Sequence, residues 1–252
     1  MKGNTALITG ATAGIGLAIA HSLAGKGCDL VLTGRRKERL DKIASELSSK
    51  VKVQTLAFDV SNRTETEKAL GEAKLADVTI LVNNAGLALG TDPMQKGSTA
   101  DWDQMIDTNI KGLLYVTRAC LPHMIEKRRG HIVNIGSVAG RWTYPGGAVY
   151  SATKFAVRAI NDSLRMDLMG TPIRVTNIEP GMVETEFSLV RLKDEEKAKA
   201  VYKGVTPLSA QDIAETVTWC LERPAHVNIQ ELVIFPTEQA GVGPSYVARR
   251  PN

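Results

Sequence analysis

Seven short, nearly unbroken apolar runs alternate with longer amphipathic stretches, and this alternation constrains the fold more than any other feature of the chain. The runs are Ala6 to Thr9, Leu30 to Thr33, Val51 to Ala57, Val78 to Val82, His131 to Ile135, Arg174 to Ile178 and Leu232 to Phe235. A strand apolar on both faces must be covered on both, which demands a parallel sheet between helical layers. The intervening helical patterns run over Ile15 to Lys26, Lys37 to Ser48, Thr64 to Glu72, Trp102 to Lys127, Ala148 to Met169 and Ala210 to Glu222. Gly25 and Gly27 follow one of them, and Gly170-Thr171-Pro172 ends another. No repeat, low-complexity stretch or linker divides the 252 residues. The pattern therefore predicts one doubly wound α/β domain over 1–252, a seven-stranded parallel sheet with helices on both faces. Only the charged segment 184–207 is weakly patterned, and it is expected to form a lid.

Composition removes several function classes. A net charge of +4 is too small and dispersed for nucleic acid binding, and Lys127-Arg128-Arg129 before Gly130 reads as a solvated helix end. No apolar run is long enough to span a bilayer, so no membrane partner is expected. Met1-Lys2-Gly3-Asn4 leads directly into strand-like TALIT without a signal peptide pattern. Cys28, Cys120 and Cys220 are odd in number and far apart, as buried reduced thiols would be; the expected compartment is the cytoplasm. His21, His123, His131 and His226 form no ligand cluster, so no metal is expected, and no G-x-S-x-G nucleophile elbow occurs.

The first strand runs into Gly10, Gly14 and Gly16 and then a helix, within TALITGATAGIG. Glycines let backbone amides approach a pyrophosphate, and the helix N-terminus adds partial positive charge. The spacing is G-x-x-x-G-x-G rather than G-x-G-x-x-G, and alone it could be an ordinary tight turn. Four further patterns follow: Asp59-Val60, Asn83-Asn84-Ala85-Gly86, Tyr150-Ser151-Ala152-Thr153-Lys154 with Asn109 and Ser137, and Pro180-Gly181 with Thr185. With all of them in order, the chain resembles the short-chain dehydrogenase/reductase family over essentially its whole length, with its Rossmann-type fold.

The resemblance implies a dinucleotide site built from Gly10, Thr12, Gly14, Ile15, Gly16, Arg35, Arg36, Asp59, Val60, Asn83, Ala85, Gly86, Tyr150, Lys154, Pro180, Gly181, Val183 and Thr185. Asp59 and Val60 would flank the adenine, and Thr185 would hold the nicotinamide carboxamide. For Asn83 and Asn84 a purely loop-tying role stays open. The second strand ends LVLTGRRKER, with Gly34 where an acid would bind the adenosine ribose 2′-hydroxyl. Gly34 removes that acid's repulsion, and Arg35 offers a guanidinium fork to a 2′-phosphate, with Arg36 assisting or starting the next helix. The cofactor expected is NADP(H), with Lys37 and Arg39 on a solvated face.

Hydride transfer at a carbonyl carbon requires proton transfer at its oxygen. A tyrosine hydroxyl titrates near ~10, and an adjacent cation lowers that value. Tyr150 and Lys154 are four apart on a predicted helix and share one face. Ser137, after the strand HIVNIGS, can donate to the substrate oxygen. By resemblance, Lys154 also holds the nicotinamide ribose and Asn109 supports a water link to Lys154. Each has a bland alternative: surface decoration for the Tyr–Lys pair, turn capping for Ser137, a back-bond within its helix for Asn109. The complete set in order favours the catalytic reading.

The substrate pocket is expected around Val138, Ala139, Gly140, Arg141, Trp142 and Tyr144 and the segment after Gly181. NNAGLALG, DWDQMIDTNIKGLLYVTRA, IEPGMVETEFSLVR and PAHVNIQELVIFP resemble the NADP-dependent enzymes that oxidise the 3-hydroxyl of small hydroxy or amino acids, such as L-allo-threonine, serine and 3-hydroxypropionate. The stretch between Gly181 and Phe187 is shorter than in that group, which bears on lid length. A carboxylate substrate needs a cation, for which Arg191 and Arg141 are the candidates beside Ser137, Tyr144 and Tyr150; solvated lid charges are the alternative. The rival functions are a broad carbonyl or 3-oxoacyl thioester reductase and a non-catalytic nucleotide-binding scaffold. By resemblance the two long helices form dimer interfaces within a homotetramer, a dimer of dimers. The tail 237–252 is expected either as a disordered end or as a strap across a neighbouring subunit.

Overall fold

Along the first strand Ala6 and Ile8 turn to one side and Leu7 to the other, and all three are fully buried. A computed structural model, which describes residues 1–73 and 75–250, shows why. Strands β1 (Thr5–Ile8), β2 (Asp29–Gly34), β3 (Val53–Ala57), β4 (Ile80–Asn83), β5 (His131–Ile135), β6 (Arg174–Pro180) and β7 (Glu231–Ile234) form one sheet in the order β3-β2-β1-β4-β5-β6-β7. Every pairing is parallel. On one face α1 (Gly14–Gly25), α2 (Lys37–Leu47) and α9 (Ala210–Leu221) cover Ala6, Ile8, Leu30 and Leu32 with Ile19, Leu23, Leu40, Ile213 and Val217. On the other, α3 (Arg63–Gly71), α5 (Leu113–Glu126) and α6 (Ala148–Asp167) cover Leu7, Val31, Leu81, Ile132 and Val175 with Leu70, Val116, Met124 and Leu164. The two-sided burial read from the apolar runs is what the sheet displays, and the three cysteines are free and buried in the cores on its two faces.

The strand order reverses between β1 and β4, so the loops leaving their C-terminal ends diverge and open a crevice. The glycine turn leaves β1 there, and Asn84 to Gly86 leave β4.

Two segments depart from expectation, and the tail is ordered through residue 250. The pattern over Trp102 to Lys127 is not one α-helix: α4 (Thr99–Ile106) and α5 are joined by a wide π turn at Asp107–Gly112. The weakly patterned segment contains α7 (Phe187–Leu192) and α8 (Glu195–Tyr202), the latter N-capped by Asp194, whose side chain accepts from the Lys197 amide at 3.1 Å. Residues 237–250 of the tail fold back on their own chain: Gln239 pairs antiparallel with Val247, and the Arg250 amide donates to the Gly204 carbonyl at 2.8 Å. Both guanidinium ends of Arg249 donate to carbonyls of Val201 and Lys203 at the end of α8. Positions 251 and 252 of the predicted tail lie outside the described residues.

Candidate active site

The glycine turn is shaped by close approach. Gly10 has φ 66°, and a Cβ there would stand 3.0 Å from the Ala85 Cα. At Gly16 an added Cβ would come within 2.5 Å of the Gly10 carbonyl oxygen and of Asn84 Nδ2. Asn84 fastens this corner: its Nδ2 donates to the carbonyls of Thr9 at 2.9 Å and Gly10 at 3.2 Å. Thr9 Oγ1 in turn accepts from the amides of Asn84 and Ala85.

Beyond this corner lies a cavity of about 740 Å³. Gly10, Thr12, Gly14, Ile15, Arg35, Arg36, Asp59, Val60, Ala85, Gly86, Pro180, Gly181, Val183 and Thr185 all line it, as do Ser137, Tyr144, Tyr150, Lys154 and Arg191. Gly16 is buried within α1, where it serves packing. Asn83 departs from its assignment: its Nδ2 donates to Thr117 Oγ1 and Asn134 Oδ1, both at 2.9 Å, inside the sheet–α5 layer. Strand alternation puts its side chain on the face of Leu81, towards α5, so its amide ties elements together rather than facing the cavity.

At the inner end of the cavity, β5 delivers Ser137 and α6 delivers Tyr150 and Lys154. Lys154 Nζ, buried, donates to the Ile135 carbonyl at 2.9 Å and stands 5.8 Å from the Tyr150 ring centroid. Loss of hydration lowers its pKa from 10.5 to about 8. Burial raises that of Tyr150, while the Ser137 hydroxyl and the Arg191 charge pull it back. Asn109 is on the wide turn; its Oδ1 accepts from the Leu87 amide at 2.9 Å, and its Nδ2 donates to the Leu87 carbonyl and to Thr153 Oγ1. Thr153 Oγ1 donates to the Tyr150 carbonyl at 2.7 Å. The chain Leu87–Asn109–Thr153–Tyr150 thus clamps the first turn of α6 to the loop after β4. The Asn109 side chain bonds the loop after β4 and α6 rather than its own helix.

The two arginine candidates part company. Arg191 Nε donates to the Gly90 carbonyl at 3.1 Å, and its guanidinium carbon lies 5.3 Å from the Tyr144 ring centroid and 5.9 Å from that of Tyr150. Arg141 is a correction: its guanidinium is bound by the carboxylates of Glu179 and Glu231, the first fully buried, and it does not line the cavity. Arg158 also pairs with Glu231, at 2.8 Å. Two carboxylates on adjacent strands need a cation between them, and Arg141 is that cation.

At the outer end Arg35 lies 3.6 Å from Asp59. Arg36 donates to Thr12 Oγ1 through Nε at 3.0 Å and Nη2 at 2.8 Å, and through Nη1 to Glu186 at 2.9 Å. Arg39, read as solvated, reaches the second oxygen of Glu186 at 2.9 Å. Sequence reasoning missed Glu186, Thr153 and the tail residues Val242, Gly243 and Pro244 that line the cavity. Thr153 stood within the Tyr–Lys motif and could have been flagged; Glu186 and the tail carried no local signal.

A parallel sheet with a glycine-walled crevice at its switch point, and a Ser–Tyr–Lys group at the crevice's inner end, define a class of nucleotide-dependent oxidoreductases. The short chain dehydrogenase family model matches residues 4–196, and the chain belongs to that family. It is 51% identical over 241 residues to an NADP-dependent 3-hydroxy acid dehydrogenase of Salmonella typhi, covering 94% of this chain and 96% of the relative. It is 50% identical over 238 residues to sulfoacetaldehyde reductase 2 of Chromohalobacter salexigens, covering 93% and 94%. A solved closed form of serine dehydrogenase complexed with NADP+ superimposes with a TM-score of 0.90 at 48% identity, covering 98% of this chain and all of the other. The protein is thus an oxidoreductase acting on CH–OH groups. Among the described residues no helix is long and apolar enough to cross a membrane, and no cluster of three or more His, Cys, Asp or Glu could hold a metal.

Proposed function

We propose that the protein transfers hydride between NADP(H) and the 3-hydroxyl, or corresponding carbonyl, of a small acid carrying a carboxylate or sulfonate. One observation carries the anionic substrate: Arg191 is a cation fixed beside Tyr150 at the cavity wall, with Nε anchored to Gly90 and the rest of its guanidinium stacked near two aromatic rings. An anion bridging to that guanidinium puts the substrate's hydroxyl beside the tyrosine. The substrates in the relatives' names, a 3-hydroxy acid, serine and sulfoacetaldehyde, each carry an acid group.

In this reading the crevice fits a dinucleotide, since Gly10 and Gly14 line it without side chains and α1 begins at Gly14. The nicotinamide, when bound, supplies the hydride acceptor. Gly14 and Ile15 at the start of α1 would meet the pyrophosphate, Asp59 and Val60 the adenine, Arg35 and Arg36 the 2′-phosphate, and Thr185 the carboxamide. Ser137 donates to the substrate oxygen and holds it. Tyr150 takes the hydroxyl proton as oxidation proceeds and returns it on reduction. Lys154, held by Ile135, supplies positive charge that favours the tyrosinate. Asn109 and Thr153 position Tyr150 through the backbone of α6. Segment 184–207, carrying Thr185 and Arg191, closes the cavity as a lid. Val242, Gly243 and Pro244 narrow it beside Tyr144, which disfavours long acyl thioesters.

A homotetramer, arranged as a dimer of dimers, fits the exposed Leu114, Ile125, Phe155 and Met166 on α5 and α6 and the exposed Trp142 and Val233 near β7. The free thiols fit a reducing compartment, the cytoplasm.

The test compares turnover of serine, L-allo-threonine and 3-hydroxypropionate with that of an uncharged 1,3-diol, in the wild type and Arg191→Ala. Loss of a charge-assisted contact should raise KM for the acids about 10- to 100-fold and leave the diol unchanged. An unchanged KM for acids refutes the anion role.

A further inference from the structure

Glu186 stands where a second anion must go. Its carboxylate is shared between Arg36 Nη1 and Arg39 Nη1, both at 2.9 Å, beside Gly34 and Arg35 at the outer end of the cavity. Arg36 and Arg39 carry two positive charges, and Glu186 cancels one. A ribose 2′-phosphate brings about 1.5 to 2 negative charges at neutral pH, which matches the two guanidiniums only when the carboxylate is gone. The carboxylate and the phosphate would otherwise repel each other across the same donors.

We propose that Glu186 is a placeholder for the 2′-phosphate and thereby a determinant of cofactor selectivity. The phosphate displaces it from Arg36 and Arg39, whereas a 2′-hydroxyl, uncharged, leaves it in place. The exchange is cheap on the protein side. All three side chains are 42–50% exposed, and ion pairs so exposed contribute little. The guanidinium does not drift when Glu186 leaves, because Thr12 Oγ1 still accepts from Arg36 Nε and Nη2. A larger residue at position 34 would disturb that anchor, since a Cβ there would lie 2.9 Å from Thr12 Cγ2. Arg35 is drawn towards Asp59 and takes no part in holding the carboxylate.

The inference rests on the reading that the 2′-phosphate is bound at Arg36. It is tested by calorimetric binding of adenosine 2′,5′-bisphosphate and adenosine 5′-monophosphate to the wild type, Glu186→Gln and Arg36→Met. These fragments lack the nicotinamide, so no turnover is involved. Glu186→Gln should bind the bisphosphate about three- to tenfold more tightly and the monophosphate within about twofold of the wild type. Arg36→Met should erase the preference for the bisphosphate. If that preference survives in Arg36→Met, the placement of the 2′-phosphate on Arg36 fails. If Arg36→Met erases it while Glu186→Gln binds the bisphosphate no better, more weakly, or with the same gain as the monophosphate, the placeholder role fails.

Discussion

Lys154 is a buried cation with a single hydrogen-bond partner among the described residues, and its position should be costly to the fold. Its pKa is lowered from 10.5 to about 8, a difference of about 2.5 units. At about 1.4 kcal/mol per unit, the charged side chain destabilises the folded state by about 3 kcal/mol at neutral pH. Replacing it in Lys154→Met removes this cost and leaves the Ile135 carbonyl short of one donor, a loss of about 1 kcal/mol. The variant should therefore be inactive and yet about 2 kcal/mol more stable at pH 7. Below pH 8 the lysine is charged whether folded or unfolded, and the wild type bears the full cost. Between about 8 and 10.5 the unfolded chain keeps the proton that the folded chain has shed. Wild-type stability then rises by up to about 1.4 kcal/mol per pH unit, so the variant's advantage shrinks. Urea unfolding at pH 7.0, 8.5 and 9.5, at one protomer concentration and without nucleotide, measures both quantities. A variant less stable than the wild type at pH 7, or a gap that does not change with pH, refutes the reasoning.

Two further substitutions separate chemistry from architecture. Tyr150→Phe should lower kcat by about 10²- to 10⁴-fold while nucleotide affinity, read by fluorescence titration, stays within about twofold; a near-normal rate would remove Tyr150 from proton transfer. Arg141→Ala strands the buried Glu179 carboxylate and should cost about 3 kcal/mol of stability by denaturant unfolding, with KM for acids within about twofold. A tenfold rise in that KM would return Arg141 to the substrate site.

What was legible in the sequence follows the range of the interactions. Strands buried on both faces announce themselves through their own residues, and so the sheet and its two helical layers were readable. Tyr150 and Lys154 were readable because helix geometry alone brings residues four apart together. The glycine turn was readable because backbone approach leaves no other residue type acceptable at Gly10 and Gly16. Arg141 was misplaced because its partners Glu179 and Glu231 are 38 and 90 residues away and reach it only once β6 and β7 lie side by side. Arg39 and Glu186 are 147 residues apart, and nothing in either neighbourhood announces the other. Asn83 sits within a motif that faces the crevice, but strand alternation turns its side chain the other way. The wide turn was invisible because helical periodicity continues on both sides of it.

That turn at Asp107–Gly112 holds one residue more than an α-helix would place there. It makes the catalytic centre far more sensitive to chain length than to side-chain chemistry. Removing a single residue would let α4 and α5 fuse into one uniform α-helical rod and withdraw the bulge that carries Asn109. Asn109 would swing away from Leu87 and Thr153, and Tyr150 would lose the clamp at the start of α6. Many exposed positions along this rod can change by substitution, whereas a single-codon deletion in it strikes directly at the proton-transfer group.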